Sequence, residues 1–231
     1  MSSSKKTRKL GAADAFFLQV ESDVTPMHVA SLNRYELPQG KDQSFILDLV
    51  EQARKHPINR PPFNLKLANS GLGKWAPAWV EDEDVDVDYH LRHMALPQPG
   101  GERELAVLIS RLHSIPLDRS RPMWECYIIE GLADGGFVLY AKMHHALIDG
   151  VAGARMLQRS MSESRKVGDF VPFWAIPEPR KKRSKREPEN AFVSMLKGVT
   201  IQARALPGVA KAITTLIRGS KNKDLKGLVA P

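Results

Sequence analysis

Two adjacent histidines, His144 and His145, are followed by Asp149 and Gly150 in an HHxxxDG string. An imidazole ordinarily titrates near neutrality, so it can take and return a proton at physiological pH. As a general base, His145 needs one ring nitrogen free and the other held in a fixed tautomer. Asp149 could hold it directly, as in a triad. It could instead pair with an arginine and fix the loop. Gly150 would permit a positive φ or a close backbone approach behind the aspartate. Two other uses of the pair are buried structural imidazoles and metal ligands. The metal use has the least support. Neighbours on a strand point to opposite faces, His145 and Asp149 do not complete a ligand set, and the only cysteine, Cys126, is distant in sequence.

The elements around the string must deliver it. The apolar run Phe137–Ala141 reads as a buried strand ending just before the histidines. A helix from about Ala152 to Met161 follows, and its free N–H groups would suit Asp149 as a cap. Upstream, a strand is expected over Glu125–Glu130, with Cys126 as a buried thiol inside it. A helix is expected over Glu102–Ser114, where Leu105, Leu108, Ile109 and Leu112 form one apolar stripe. Ser44–Lys55 reads as another helix, ended by prolines. A short helix or turn lies around Ala12–Phe17, and strands are expected at His28–Tyr35, Leu65–Leu67 and Ala78–Val80. Asn69–Gly73 reads as a turn. Glu81–Asp88 reads as an exposed acidic loop or strand edge, and His90 and His93 as polar residues at a strand end.

Composition narrows the classes. The chain has 231 residues, 42% hydrophobic and 26% charged, enough to bury a sizeable core. A single cysteine excludes an internal disulfide framework and fits a reducing, cytoplasmic compartment. Met1–Lys9 is polar and basic, with no secretory signal. No apolar run approaches the roughly 20 residues a membrane span needs. The net charge of +8 is concentrated in Arg180–Arg186, six basic residues in seven. Prolines flank that run, which fits a solvated linker. Attraction to anionic lipid head groups or to the phosphates of a ligand is the alternative. No aromatic platform or base-reading motif supports nucleic acid as a partner.

Three stretches carry a family resemblance. HHxxxDG is the signature of the CoA-dependent acyltransferase superfamily. Pro116-Leu117-Asp118-Arg119-Ser120-Arg121-Pro122-Met123-Trp124-Glu125 resembles the PLDRSRPLWE block of the bacterial wax ester synthase/diacylglycerol acyltransferase family, departing from it at Met123. Asp14-Ala15-Phe16-Phe17 followed by Pro26-Met27-His28-Val29 resembles that family's D-x-x-F … PMHV opening. The resemblance implies an α/β fold of the chloramphenicol acetyltransferase type, a two-layer sandwich with a mixed sheet. It implies an O-acyltransferase that moves a long acyl chain from acyl-CoA to a fatty alcohol or to diacylglycerol, with no further cofactor and no metal. His145 would be the base, His144 a supporting residue, Asp149 a loop-shaping residue and Gly150 a backbone element. Pro116, Leu117, Asp118, Arg119, Arg121 and Trp124 would form a supporting, ion-paired loop. Apolar products imply contact with the inner membrane surface or a lipid inclusion. A carrier-protein-dependent condensation enzyme and a non-catalytic lipid-binding module are the alternatives on this fold.

The expected organisation is a disordered segment at residues 1–9 and the N-terminal acyltransferase domain at 10–170. A basic, proline-rich linker follows at 171–189. An amphipathic helical segment at 190–231 leads to a C-terminal acyltransferase domain that lies outside this chain.

Overall fold

Two strands buried on both faces organise the protein. In a computed structural model, residues 7–68, 77–161 and 170–177 are described, all within the unit Met1–Pro177. Strands β6 (Trp124–Glu130) and β7 (Phe137–His144) are buried almost throughout. Hence their near-continuous apolar sequence, where a half-exposed strand would alternate. They lie at the centre of a four-stranded sheet of order β2-β7-β6-β5, with β2 spanning His28–Tyr35 and β5 spanning Leu91–Ala95. β5 runs parallel to β6 and the other pairs are antiparallel, so the sheet is mixed. β2 pairs with β7 in a register that sets His28 opposite His144.

Helices cover both faces. On one, α2 (Ser44–Arg54) buries Ile46, Leu49, Val50 and Ala53 against Trp124, Cys126, Ile128, Ala141 and Met143. On the other, α4 (Glu102–Ser114) lays its leucine stripe on Tyr127, Ile129, Val138 and Tyr140. The start of α4 is fixed by Gly100, at φ +73°, where a Cβ would stand 2.0 Å from the Gly131 carbonyl. Only glycine fits there. Glu104 then accepts the Gly101 N–H at 2.9 Å, closing the first turn.

A second sheet of order β1-β4-β3 is built from β1 (Thr7–Lys9), β3 (Leu65–Leu67) and β4 (Ala78–Glu81). It includes Thr7–Lys9 from the segment expected to be disordered, while residues 1–6 lie outside the described residues. Thr7–Lys9 is exposed and polar but pairs antiparallel with β4 through its backbone, and ladder hydrogen bonds need no apolar side chain. The expected linker at 171–189 is corrected at its start. The 3-10 turn Phe173–Ala175 buries Phe173 and Trp174 among Phe63 and Trp124. The expected acidic loop is corrected at its end, where Asp86 caps a short helix α3 (Val87–His90) by accepting the N–H groups of Asp88 and Tyr89. The expected turn at 69–73, the basic run Arg180–Arg186 and the amphipathic segment at 190–231 lie outside the described residues.

Candidate active site

The histidine pair sits where β7 stops and its two neighbours begin. His144 N–H donates to the Met123 carbonyl (2.9 Å) and His145 N–H to the Met27 carbonyl (2.8 Å). The chain is thus tied on one side to the entrance of β6 and on the other to that of β2. It then turns tightly, with Leu147 N–H donating back to the His144 carbonyl at 2.9 Å. Helix α5 (Gly150–Ser160) follows at once. A side chain mounted this way inherits the rigidity of the sheet.

Asp149 is the cap of α5. Its Oδ1 accepts the Ala152 N–H at 2.7 Å. Among the described residues no hydrogen bond joins it to His145. Gly150 is the first residue of α5, without a positive φ, and a Cβ there would meet nothing within 4 Å. The expected close approach behind the aspartate is therefore absent at that position, because the chain has already entered the helix.

His144 is fully buried. Its Nδ1 accepts the Ala146 N–H at 3.0 Å, so Nε2 carries the proton. That Nε2 lies 3.3 Å from Glu21 Oε1, out of line for a good hydrogen bond. Burial pushes the His144 pKa down, and the neighbouring Glu21 charge only partly opposes this. Glu21 is itself heavily engaged. Oε1 accepts the Met27 N–H at 2.9 Å, and Oε2 accepts Nε and Nη2 of Arg119 at 3.0 and 2.7 Å. Burial alone would raise the Glu21 pKa, but the Met27 N–H and Arg119 outweigh it and hold the carboxyl below its usual range. A chain of contacts therefore runs Arg119–Glu21–His144–Ala146. It links the PLDRSR loop to the turn that presents His145.

The rest of that loop is framework. Asp118 folds onto its own turn, accepting Ser120 N–H and Oγ at 2.8 and 2.7 Å. Arg121 lies 3.8 Å from Asp118 and over the Tyr89 ring at 4.2 Å. Pro116 is half-buried, and Leu117 and Met123 pack with Leu18, Trp79 and Ala146. Trp124 is fully buried, donates Nε1–H to the Phe63 carbonyl at 2.9 Å and stacks on His90. His90 donates Nδ1–H to the Trp124 carbonyl at 2.7 Å, and burial pushes its pKa down to about 4. It belongs to the core. Burial pushes the Cys126 thiol up to about 12, which keeps it protonated and poorly nucleophilic.

His145 differs from its neighbour. It is half-buried, and its Nδ1 is buried without a hydrogen-bond partner among the described residues. Its ring stacks on Phe17 of α1 (Ala12–Val20), centroids 3.9 Å apart and planes 20° from parallel. Asp14, three residues earlier on that helix, lies within reach of the charges of His145 and Asp149. Burial raises the Asp14 pKa against the pull of the Gly11 N–H and Arg8. Sequence reasoning did not single out Glu21 and gave Phe17 no role. Glu21 follows an unremarkable apolar helix, and its partner Arg119 is 98 residues away. Among the described residues no group of three or more His, Cys, Asp or Glu side chains could hold a metal ion. No helix among them is long and apolar enough to cross a membrane.

Residues 10–230 match the wax ester synthase/diacylglycerol acyltransferase catalytic domain family. The chain is 39% identical to an O-acyltransferase WSD of Acinetobacter baylyi over 211 residues, covering 91% of this chain and 44% of the relative. It is similar to the solved wax ester synthase/diacylglycerol acyltransferase of Marinobacter aquaeolei VT8, with a TM-score of 0.69 and 39% identity over 85% of this chain and 47% of that one. A condensation domain of the calcium-dependent antibiotic synthetase shares the fold at 18% identity, with a TM-score of 0.51 over 68% of this chain and 38% of that one. The chain thus spans about half the length of the relatives it matches. With the fold, the motif order and these matches in agreement, the chain belongs to the wax ester synthase/diacylglycerol acyltransferase family.

Proposed function

We propose that this chain carries the general base of an acyl-CoA-dependent O-acyltransferase, and that His145 is that base. The observation that supports this most is the contrast between the two histidines. His144 is fully buried, its Nδ1 accepting the Ala146 N–H and its Nε2 only facing Glu21 at 3.3 Å, whereas His145 is held at the end of a rigid strand with its ring only half-buried. With Nδ1 on the buried side, Nε2 is the nitrogen that reaches a substrate. It takes the proton of the acceptor hydroxyl as that oxygen attacks the thioester carbonyl. The tetrahedral adduct collapses, the C–S bond breaks, and the CoA thiolate recovers the proton from the imidazolium. Ester and free CoA leave, and no acyl-enzyme forms. A thioester is already activated, so positioning and proton transfer can carry much of the rate.

The acceptor is a fatty alcohol, giving a wax ester, or diacylglycerol, giving triacylglycerol. A C-terminal acyltransferase domain completes the acyl-CoA site. The enzyme meets its apolar substrates at the surface of the inner membrane or of a lipid inclusion. The test is thiol release from palmitoyl-CoA by the full-length protein, with hexadecanol or dioleoylglycerol as acceptor. Release that requires an acceptor and falls by about a hundredfold to ten-thousandfold in His145→Ala supports the reading. A folded full-length protein with no acceptor-dependent release would reject it and favour a lipid-binding role.

A further inference from the structure

A catalytic imidazole needs its plane fixed, and the usual device is missing here. In a triad, a carboxylate hydrogen-bonds Nδ1–H and sets both tautomer and orientation. Asp149 is instead engaged with the Ala152 N–H at 2.7 Å, and the buried Nδ1 of His145 has no partner among the described residues. The terminal torsion of histidine is broad and roughly two-fold, so nothing intrinsic holds the ring. Against its face lies Phe17, nearly parallel at 3.9 Å.

Phe17 is well placed to impose a plane because it is itself held. It packs on the cluster of Leu18, Leu65, Trp79, Leu117 and Met123, and the Phe16 ring meets it edge-on at 5.9 Å. Its helix is pinned at the far end by Arg119, which donates to the Leu18 carbonyl at 2.9 Å as well as to Glu21. The clamp that engages His144 therefore also fixes the helix that carries Phe17. Two neutral rings favour offset or edge-to-face contact over close parallel stacking. A protonated imidazole instead gains from facing the negative face of an aromatic ring. The arrangement suits the imidazolium that forms as the base takes its proton.

We infer that Phe17 is the positioning residue of the base: its face sets the plane of the His145 imidazole, the task a triad gives to a carboxylate. This rests on the reading of His145 as the base. The test compares Phe17→Leu, which keeps apolar bulk and loses the flat face, with Phe17→Tyr, which keeps the face. In the full-length protein, Phe17→Leu should lower kcat on the order of tenfold with little change in the KM for palmitoyl-CoA or in Tm. Phe17→Tyr should restore kcat. The upfield ring-current shift of the His145 ring proton, assigned by its loss in His145→Ala, should vanish in Phe17→Leu and persist in Phe17→Tyr. Wild-type kcat in Phe17→Leu, or equal losses of kcat and Tm in both variants, would overturn the inference. A native protein showing the ring-current shift but no His145-dependent turnover would instead sink the catalytic reading. The stack would then be packing alone.

Discussion

The turn after β7 and the sheet face two residues before it treat polar groups in opposite ways. Lys142 is fully buried, yet its Nζ donates to the Leu112 and Ile115 carbonyls, both at 2.9 Å, and lies 3.2 Å from Glu125. Glu125 also accepts Tyr127 Oη–H at 2.7 Å and lies 3.3 Å from Arg92. Every strong donor and acceptor in that cluster is engaged. It locks the C-terminal end of α4, and so the start of the Pro116–Trp124 loop, onto β7. Three residues beyond Lys142, His145 has one buried ring nitrogen without a partner and an aromatic ring against its face. Buried polar groups that are fully paired build framework; His28 Nδ1 and His144 Nε2 also lack partners among the described residues, so what sets His145 apart is its half-exposed ring against Phe17.

The comparison breaks most visibly at Lys142. Replacing it with alanine strands the Glu125 charge and the α4 carbonyls, at a cost of about 3–5 kcal/mol. Urea unfolding measures this, and a much smaller loss would mean the cluster is not the framework described. Arg119→Ala should cost less, roughly 1.5–3 kcal/mol, because it removes charge-assisted hydrogen bonds at a partly exposed site. It should also lower turnover beyond its effect on folding, since it loosens both α1 and His144; unaltered kcat would separate the clamp from the base. Asp149→Ala removes one helix cap and should lower stability by about 1 kcal/mol, read as a fall in Tm, and a larger loss would point to a role beyond the cap.

The subtlest effect is on pH dependence. The ordinary histidine value is 6.5, and burial pushes His28 and His90 down to about 4. The unfolded chain therefore binds protons in this range that the folded chain does not, so their contribution is complete above pH 6.5 and is lost as pH falls toward 4. His90→Gln should flatten the stability slope across that window, and an unchanged slope would refute the neutral, buried state of His90. Glu21, held below its usual 4.5, adds a loss at still lower pH.

Regular elements were legible wherever the core dictated them. The stripe Leu105–Leu112 marked α4, and the apolar runs marked β6 and β7, because both faces of those strands are buried. β7 runs three residues past the expected end, since His144 still pairs with β2. Apart from α3, which depends on a local cap by Asp86, the misses rest on partners distant in sequence. Thr7–Lys9 is a strand only because β4 offers an edge. Phe173 and Trp174 read as part of a proline-rich linker until the Phe63–Trp124 pocket is seen. At the site, the motif pointed to His145 as the candidate, but Glu21 acquires meaning only beside Arg119 and His144. Asp149 was left between a triad role and a loop role, and its contact with Ala152 is a matter of cap geometry that spacing alone does not fix.

The central claim is that the two histidines have divided labour, one joined to the framework and one free for chemistry. The direct measurement is Tm and acceptor-dependent thiol release for His144→Ala and His145→Ala of the full-length protein, side by side. His145→Ala should lose turnover with little change in Tm, while His144→Ala should lower Tm and lose turnover only in part. The reverse pattern, or equal effects on both readouts, would contradict the account.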